Sequence, residues 1–483
     1  MLSILVCHSY YLHLDQKQVL RAKPYPPLAT LQVVAMLRKA GHQVSFFDSM
    51  LAEGMQEYDH LLQTGNPQLV LFYEDNFNFL SKMCLGTMRR AACDMIASAR
   101  RAGAKVIAAG PDVTDAPSPY LKAGADFALI GEGLSALLEM LPRIDSDPHG
   151  DNADLIRGLG GVVSLGVDKT PIKSGLRAMP IAADVGLAAW DLVDVDRYRT
   201  VWQKAHGYFS LNMAASRGCP FRCAWCAKPI WGNQYVQRDA TEVAMEMAHL
   251  KRSFNPDHIW FADDIFGFRV EWVAEFAAAV QAADARIPIT IQTRADLLSE
   301  RMAEALRDAG CREAWIGAES GSERVLNAMN KGTTVAQIRV ARARLKAVGI
   351  RVGFFIQLGY MGEQLADILA TRELLEAARP DEIGVSVSYP LPGTKFYELV
   401  KAQLRGKTHW QESNDLEMMF QGTYTSDFYR AVRNLMHDQI TLQSTDSAAA
   451  DGGARSAFDR RWQELLADEV KYRSSNQRSA ASA

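Results

Sequence analysis

Cysteine is scarce in this 483-residue chain: there are seven, an odd number and too few to build a disulfide framework. Excess charge is scarce as well. Lys and Arg number 53 against 56 Asp and Glu, a net charge of -3, so the basic surplus needed to grip phosphate backbones is missing and nucleic acid is excluded as the main partner. Long apolar runs are absent too. None approaches the ~20 residues that cross a bilayer, so no membrane span is expected. The opening MLSILVCHSYYLHLD has no basic leader and no extended apolar core, and it reads as a first buried strand rather than a signal peptide. The expected location is therefore cytoplasmic. What is present, 48% hydrophobic and 23% charged residues, excludes disorder and suffices for two or three domains.

Residues 1–145 alternate short apolar runs with helical patterns: ILVC (4–7), VSFF (44–47), LVLFY (69–73), KVIAAG (105–110) and FALIGEG (127–133). Strands that are apolar throughout are buried on both faces, which predicts a doubly wound α/β, Rossmann-like domain with ligands at the carboxyl ends of its strands. Residues 146–205 lack sustained periodicity and read as a linker with a little local strand. Over 206–405 six further strand-then-helix units follow, beginning at 208, 258, 289, 314, 352 and 383, and they predict a partial parallel (β/α)6 barrel with its chemistry at the strands' carboxyl ends. A C-terminal helical subdomain is expected over 406–443. Residues 444–483 are expected to be a partly disordered tail, because STDSAAADGGARS and SSNQRSAASA have linker composition.

Three of the seven cysteines are clustered. Cys219, Cys223 and Cys226 stand in RGCPFRCAWC, just past the first strand of the second series, on a loop punctuated by Gly218 and Pro220. Cys7, Cys84, Cys93 and Cys311 lie among apolar neighbours and read as small core residues. A structural zinc site closes with four ligands in two separated pairs, and no second Cys/His pair is evident. A [4Fe-4S] cube normally takes four cysteines, so three leave one iron open to a small molecule.

The Cys-x3-Cys-x2-Cys spacing after the first strand of a βα series, with Trp225 before the third cysteine, resembles the radical S-adenosylmethionine (SAM) enzymes. That resemblance implies a [4Fe-4S] cluster on the three cysteines and SAM chelated at the open iron. Reductive cleavage of SAM would then give a 5′-deoxyadenosyl radical, with electrons from a donor such as flavodoxin or ferredoxin. FADDIFGF (261–268), QTRADLL (292–298), GAESGSERVLNAMNKGTT (317–334), LGYMGE (358–363) and YPLPGT (389–394) resemble strand-end motifs of the branch that carries an N-terminal cobalamin-binding domain. By that resemblance Asp263, Arg294 and Glu319 are SAM contacts; the alternative for each is an ordinary strand-end ion pair. The family's G-x-P-G-E reads Gly359-Tyr360-Met361-Gly362-Glu363 here.

PYPPLATLQVVAMLRKAGHQVSFFD (24–48), AAGPDVTDAP (108–117) and DFALIGEG (126–133) resemble the cobalamin-binding domain itself. Gly110, Gly131 and Gly133 would let backbone approach the corrin nucleotide tail, where a Cβ would block it. The usual Gly-Gly-x-His is Gly110-Pro111-Asp112-Val113, and no Asp-x-His-x-x-Gly follows the first strand, so bound cobalamin would lack a histidine ligand from below. The alternative is an α/β domain without a cofactor.

With both cofactors, the leading function is methylation of an unactivated carbon in a small-molecule substrate. A second reading is oxidative cyclisation or hydroxylation of a porphyrin-like substrate, because 408–430 together with PGTKFYELVKAQL resembles the anaerobic magnesium-protoporphyrin monomethyl ester cyclase type. A third is a non-enzymatic cobalamin or redox sensor. Methylthiotransferase chemistry is weaker, since Cys7, Cys84 and Cys93 lack the arrangement of those relatives' additional upstream cysteines.

Overall fold

A computed structural model of the chain describes all residues except 76–84, 167–169, 175–185, 228–229, 405–415, 445–451 and 475–483. Cys84, the start of the cyclase-like segment and most of the two linker-like stretches of the tail lie outside the described residues. The chain forms two compact units: one comprises Met1–Cys219 and Lys228–Asp263, the other Pro220–Ala227, Asp264–Thr408 and Glu412–Ala483.

The first unit is built on seven strands: β1 (Ser3–Cys7), β2 (Gln43–Phe47), β3 (Leu69–Tyr73), β4 (Lys105–Ala109), β5 (Phe127–Leu129), β6 (Val162–Leu165) and β7 (Pro171–Lys173). Their order in the sheet is β2-β1-β3-β4-β5-β6-β7. The first five are parallel, and the chain doubles back between β1 and β3, which is where doubly wound sheets open a crevice. Every residue of β3 is buried, as the continuous apolar run LVLFY requires when both sheet faces are covered.

The linker expected over 146–205 is more ordered than its sequence suggested. β6 and β7 extend the first sheet in antiparallel pairing, Ala128 opposite Val163 and Ser164 opposite Ile172. A 12-residue helix, Val195–His206, then buries Val195, Tyr198 and Trp202, and the Asp194 side chain caps it by accepting from the Arg197 N–H.

Six further parallel strands, each followed by a helical segment, carry the second series. In the first unit, β8 (Ser210–Met213) pairs with β11 (His258–Phe261), and between them in sequence β9 (Ser216–Gly218) and β10 (Tyr235–Gln237) form an antiparallel hairpin. In the second unit, β12 (Ile289–Thr293), β13 (Cys311–Glu319), β14 (Arg351–Leu358) and β15 (Glu382–Val387) form a parallel sheet. Ala314, Ile316, Val352, Phe354, Ile356 and Ile383 are buried on one of its faces, while Trp315 and Phe355, on the other, are half-buried and stack at 4.8 Å. Side-chain caps start the intervening helices: Asp239 before Ala240–Phe254, Ser299 before Glu300–Asp308, and Thr334 in a capping box before Val335–Ala347.

The helical subdomain does not stop at 443. Ser426–Ser444 is followed by Gly452–Ala467, whose Phe458, Trp462 and Leu465 are buried at helical spacing, so part of the expected disordered tail is packed structure. The Arg372 guanidinium lies 4.8 Å from the Trp462 ring. No helix among the described residues is long and apolar enough to cross a membrane.

Candidate functional site

The cysteine loop is anchored at both of its described sides. On its amino-terminal side, β9 pairs Gly218 with Tyr235, and Gly218 has φ +73°; a Cβ there would stand 2.3 Å from the Gln234 carbonyl oxygen, so only glycine fits. Cys219 follows at once. In the second unit the loop is stitched down by three bonds. The Ala224 N–H donates to the Met329 carbonyl at 2.8 Å, Asn330 Nδ2 donates to the Arg222 carbonyl at 2.7 Å, and the Phe396 N–H donates to the Ala224 carbonyl at 2.9 Å. The Arg294 guanidinium stacks 3.7 Å from the Phe221 ring and its Nη1 lies 3.8 Å from Cys223 Sγ.

Cys219, Cys223 and Cys226 are all half-buried and none forms a disulfide. Among the described residues no three His, Cys, Asp or Glu side chains gather into a single-ion site. Three thiols within eight residues, on a loop held in place by backbone bonds at Arg222 and Ala224, fit a cluster chemically, because each sulfur ligates a separate corner of a cube and thiolates are its usual donors.

The three residues expected to touch SAM all have partners inside the protein. Asp263, at the end of β11, is 1% exposed; it accepts from the Ala215 N–H at 3.0 Å and from the Ser216 hydroxyl. Burial pushes its carboxyl up to about 7, and the hydrogen bonds from Ser216 and Ala215 only partly offset this. Arg294 is clamped by Asp296 at 2.9 Å and donates to the Lys331 carbonyl at 2.7 Å. Glu319 ends β13 with φ +60°, a conformation costly for a residue with a side chain, next to a register shift between Gly317 and Glu319. Its carboxylate meets Lys331 Nζ at 2.7 Å, both side chains buried. Cys223, Arg294, Lys331 and Glu319 thus form one connected line within the second unit, whereas Asp263 is held in the first by the chain between β8 and β9.

The cobalamin-like loops lie at the carboxyl ends of the first sheet. A cleft there is lined by Ser9, Tyr10, Glu74, Arg89, Asp112 and Tyr120, among others. Glu74 accepts from the Ser9 N–H at 3.1 Å, and burial raises its carboxyl above the ordinary range. Asp112 pairs with Arg89 at 2.5 Å and accepts from the Tyr120 hydroxyl at 2.6 Å. No histidine lines the described part of this cleft.

Two of the three glycines expected to approach the corrinoid are also required by packing inside the protein. A Cβ on Gly110 (φ +140°) would come within 2.6 Å of Glu74 Cβ, and one on Gly133 (φ +72°) within 2.7 Å of Leu129 Cβ. At these two positions the protein's own side chains already exclude a Cβ. Gly131, at φ +79°, donates its N–H to Thr114 Oγ1 at 2.9 Å.

Sequence reasoning missed Lys331, although it stands in the quoted NKGTT, and it missed Arg217, two residues before Cys219. Arg217 pairs with Glu132, the residue between Gly131 and Gly133, at 2.6 Å. The only sequence signal in each case is a charge beside glycine and small residues, on β9 for Arg217 and in the turn between two helices for Lys331.

The Radical SAM superfamily profile matches residues 213–375. An uncharacterized methyltransferase of Pyrococcus horikoshii is 25% identical over 300 residues, covering 61% of this chain and 62% of its own length. The anaerobic magnesium-protoporphyrin IX monomethyl ester cyclase of Rubrivivax gelatinosus is 23% identical over 282 residues, 56% of this chain and 48% of the cyclase. The chain therefore spans from just under half to about three fifths of the length of these relatives. The solved structure of the cobalamin-dependent SAM radical enzyme OxsB, with aqua-cobalamin and SAM bound, superposes with a TM-score of 0.70 at 15% identity, over 96% of this chain and 72% of OxsB. Residues 213–375 are thus similar to the radical SAM superfamily, and the fold of the chain is similar to that of OxsB.

Proposed function

We propose that this protein is a cobalamin-dependent radical SAM enzyme that methylates an unactivated carbon of a small molecule. The observation that carries the reading is the Cys219-Cys223-Cys226 loop, locked by Gly218 on one side and by the Met329, Asn330 and Phe396 bonds on the other, at the carboxyl ends of parallel strands. When bound, the cluster and corrinoid would supply the electron that opens the S–C5′ bond of SAM and the methyl group that the substrate receives.

The chain's own residues would hold and orient these groups. Cys219, Cys223 and Cys226 are the cluster ligands in this reading, and Arg294 steadies the loop through Phe221 and Cys223. Asp263, Arg294 and Glu319 line the strand ends as SAM contacts, each pre-oriented by the internal bonds described above. The loops carrying Gly110, Gly131 and Gly133 form the corrinoid-facing edge of the first sheet. The stacked Trp315 and Phe355 present an uncharged surface from which water is readily displaced. Reduced thiols suit a cytoplasmic setting with a flavodoxin- or ferredoxin-type donor.

Oxidative cyclisation is the second reading, favoured by the similarity to the cyclase. One experiment separates the two. Anaerobically reconstituted protein with dithionite and SAM should release 5′-deoxyadenosine, and SAM with a labelled methyl group, incubated with a cell extract, should leave that carbon in a small-molecule product. Label that stays out of every product favours cyclisation. Zinc in place of iron after anoxic purification, or a cluster spectrum indifferent to SAM, would overturn both.

A further inference from the structure

Arg217 and Glu132 form a buried ion pair that no step of the proposed function uses. Arg217 lies on β9, two residues before Cys219; Glu132 lies 85 residues earlier in the loop after β5. Nη1 donates to Oε1 at 2.6 Å, and the two side chains are 8% and 6% exposed. Each partner is fixed from behind. Arg217 Nη2 donates to Gln32 Oε1 at 2.7 Å, and the Glu132 carbonyl accepts from the Tyr73 hydroxyl at 2.9 Å. The next residue, Gly218, is held in the β9–β10 hairpin and cannot carry a side chain.

Stability alone does not account for such a pair. Two buried charges lose their hydration, and well-packed apolar replacements are often as stable or more so, whereas removing one partner is strongly unfavourable. What the pair adds is position: it ties the strand that presents the first cysteine to the Gly-Glu-Gly loop at the carboxyl end of β5.

We propose that Arg217 is a positioning residue that couples corrinoid binding to cluster binding, with Glu132 as its partner. The inference rests on the proposed function, because it takes those two loops as the seats of the two groups. A corrinoid pressed against the Gly131–Gly133 loop fixes Glu132, and Glu132 fixes β9 and the place of Cys219. Coupling of this kind is reciprocal: the cluster tightens corrinoid binding by the same factor that corrinoid tightens the cluster.

The test uses the full chain under anoxic conditions, with hydroxocobalamin titrated into cluster-loaded and cluster-free protein. Wild type should bind it at least about fivefold more tightly when loaded, the lower end of typical coupling. Glu132→Gln and Arg217→Lys should reduce that ratio to below about twofold with iron per chain near wild type; Glu132→Gln, which leaves Arg217 without its countercharge, should also unfold at a lower temperature than Arg217→Lys, which keeps both charges. Should either variant fail to fold, Gln32→Met removes only one bond to Arg217 and should give an intermediate ratio. A wild-type ratio near one with both groups bound, or a ratio unchanged in the folded variants, overturns the coupling. Wild type that holds no cluster or no corrinoid overturns the proposed function instead.

Discussion

Replacing Asp263 with Asn should change how stability depends on pH. In the folded chain its carboxyl is pushed up to about 7 by burial, against an ordinary value of 3.8. Below about pH 4 the group is protonated in both states and contributes no difference. From there to about pH 7 the unfolded chain gives up the proton and the folded chain keeps it, so the folded state loses ground as pH rises, levelling off above 7. Between pH 5 and pH 8 the loss is about 3 kcal/mol, since each pKa unit is worth about 1.4 kcal/mol and part of the shift is already expressed at pH 5. The amide introduced by Asp263→Asn has no proton to lose. Its oxygen can still accept from the Ala215 N–H, and its NH2 can donate to the Ser216 oxygen. Glu363, which burial pushes up to about 8, adds the same slope to both proteins and cancels in the difference. Urea unfolding of the cluster-free chain, followed by tryptophan fluorescence, should therefore show D263N gaining about 3 kcal/mol on wild type between pH 5 and pH 8. Parallel pH profiles would refute the argument and leave Asp263 ionised in the folded state.

Other perturbations follow from the packing. Lys331→Met leaves Glu319 buried and unpaired, and should cost about 3–5 kcal/mol by urea unfolding at neutral pH, with the loss much smaller in Lys331→Met/Glu319→Gln. Gly353→Ala puts a methyl 2.5 Å from the Trp315 ring; it should destabilise by about 1–3 kcal/mol and alter the fluorescence of the Trp315–Phe355 stack. Trp462→Ala empties the contact of Gly452–Ala467 with Arg372, at a local cost of about 3–5 kcal/mol, so limited proteolysis should remove this helix from the variant and spare it in wild type.

The inner strands β1, β3 and β4 of the first sheet were legible because burial on both faces demands uninterrupted apolar runs, and LVLFY or KVIAA can hardly serve elsewhere, whereas β2 lies at the sheet edge with Gln43 and Ser45 exposed and showed only through VSFF. β6 and β7 were not, because four and three residues are too short for a period to emerge. The helix Val195–His206 did carry a signal, with apolar residues at 195, 198 and 202 behind a capping Asp, but polar residues outnumber them. Gly452–Ala467 has Phe458, Trp462 and Leu465 at the right spacing and was obscured by its low-complexity neighbours. The same distinction governs the site. Three cysteines announce themselves through local spacing, whereas Lys331 with Glu319, 12 residues apart, and Arg217 with Glu132, 85 apart, are pairs that only folding brings together.

The two short antiparallel strands also determine where this protein can be cut. A fragment ending at 145 would strip β6 from β5, leaving the row of amide and carbonyl groups around Ala128 and Leu129 open to the nearest available backbone, including that of another fragment. β7 closes the series differently: it opens with Pro171, which has no N–H to offer, and its Pro171 and Lys173 side chains are exposed, so it gives a stacking neighbour little to add to. Expression of the first domain as a well-behaved monomer should therefore require the chain to run through at least Ser174, whose backbone N–H and hydroxyl both bond the Val162 carbonyl.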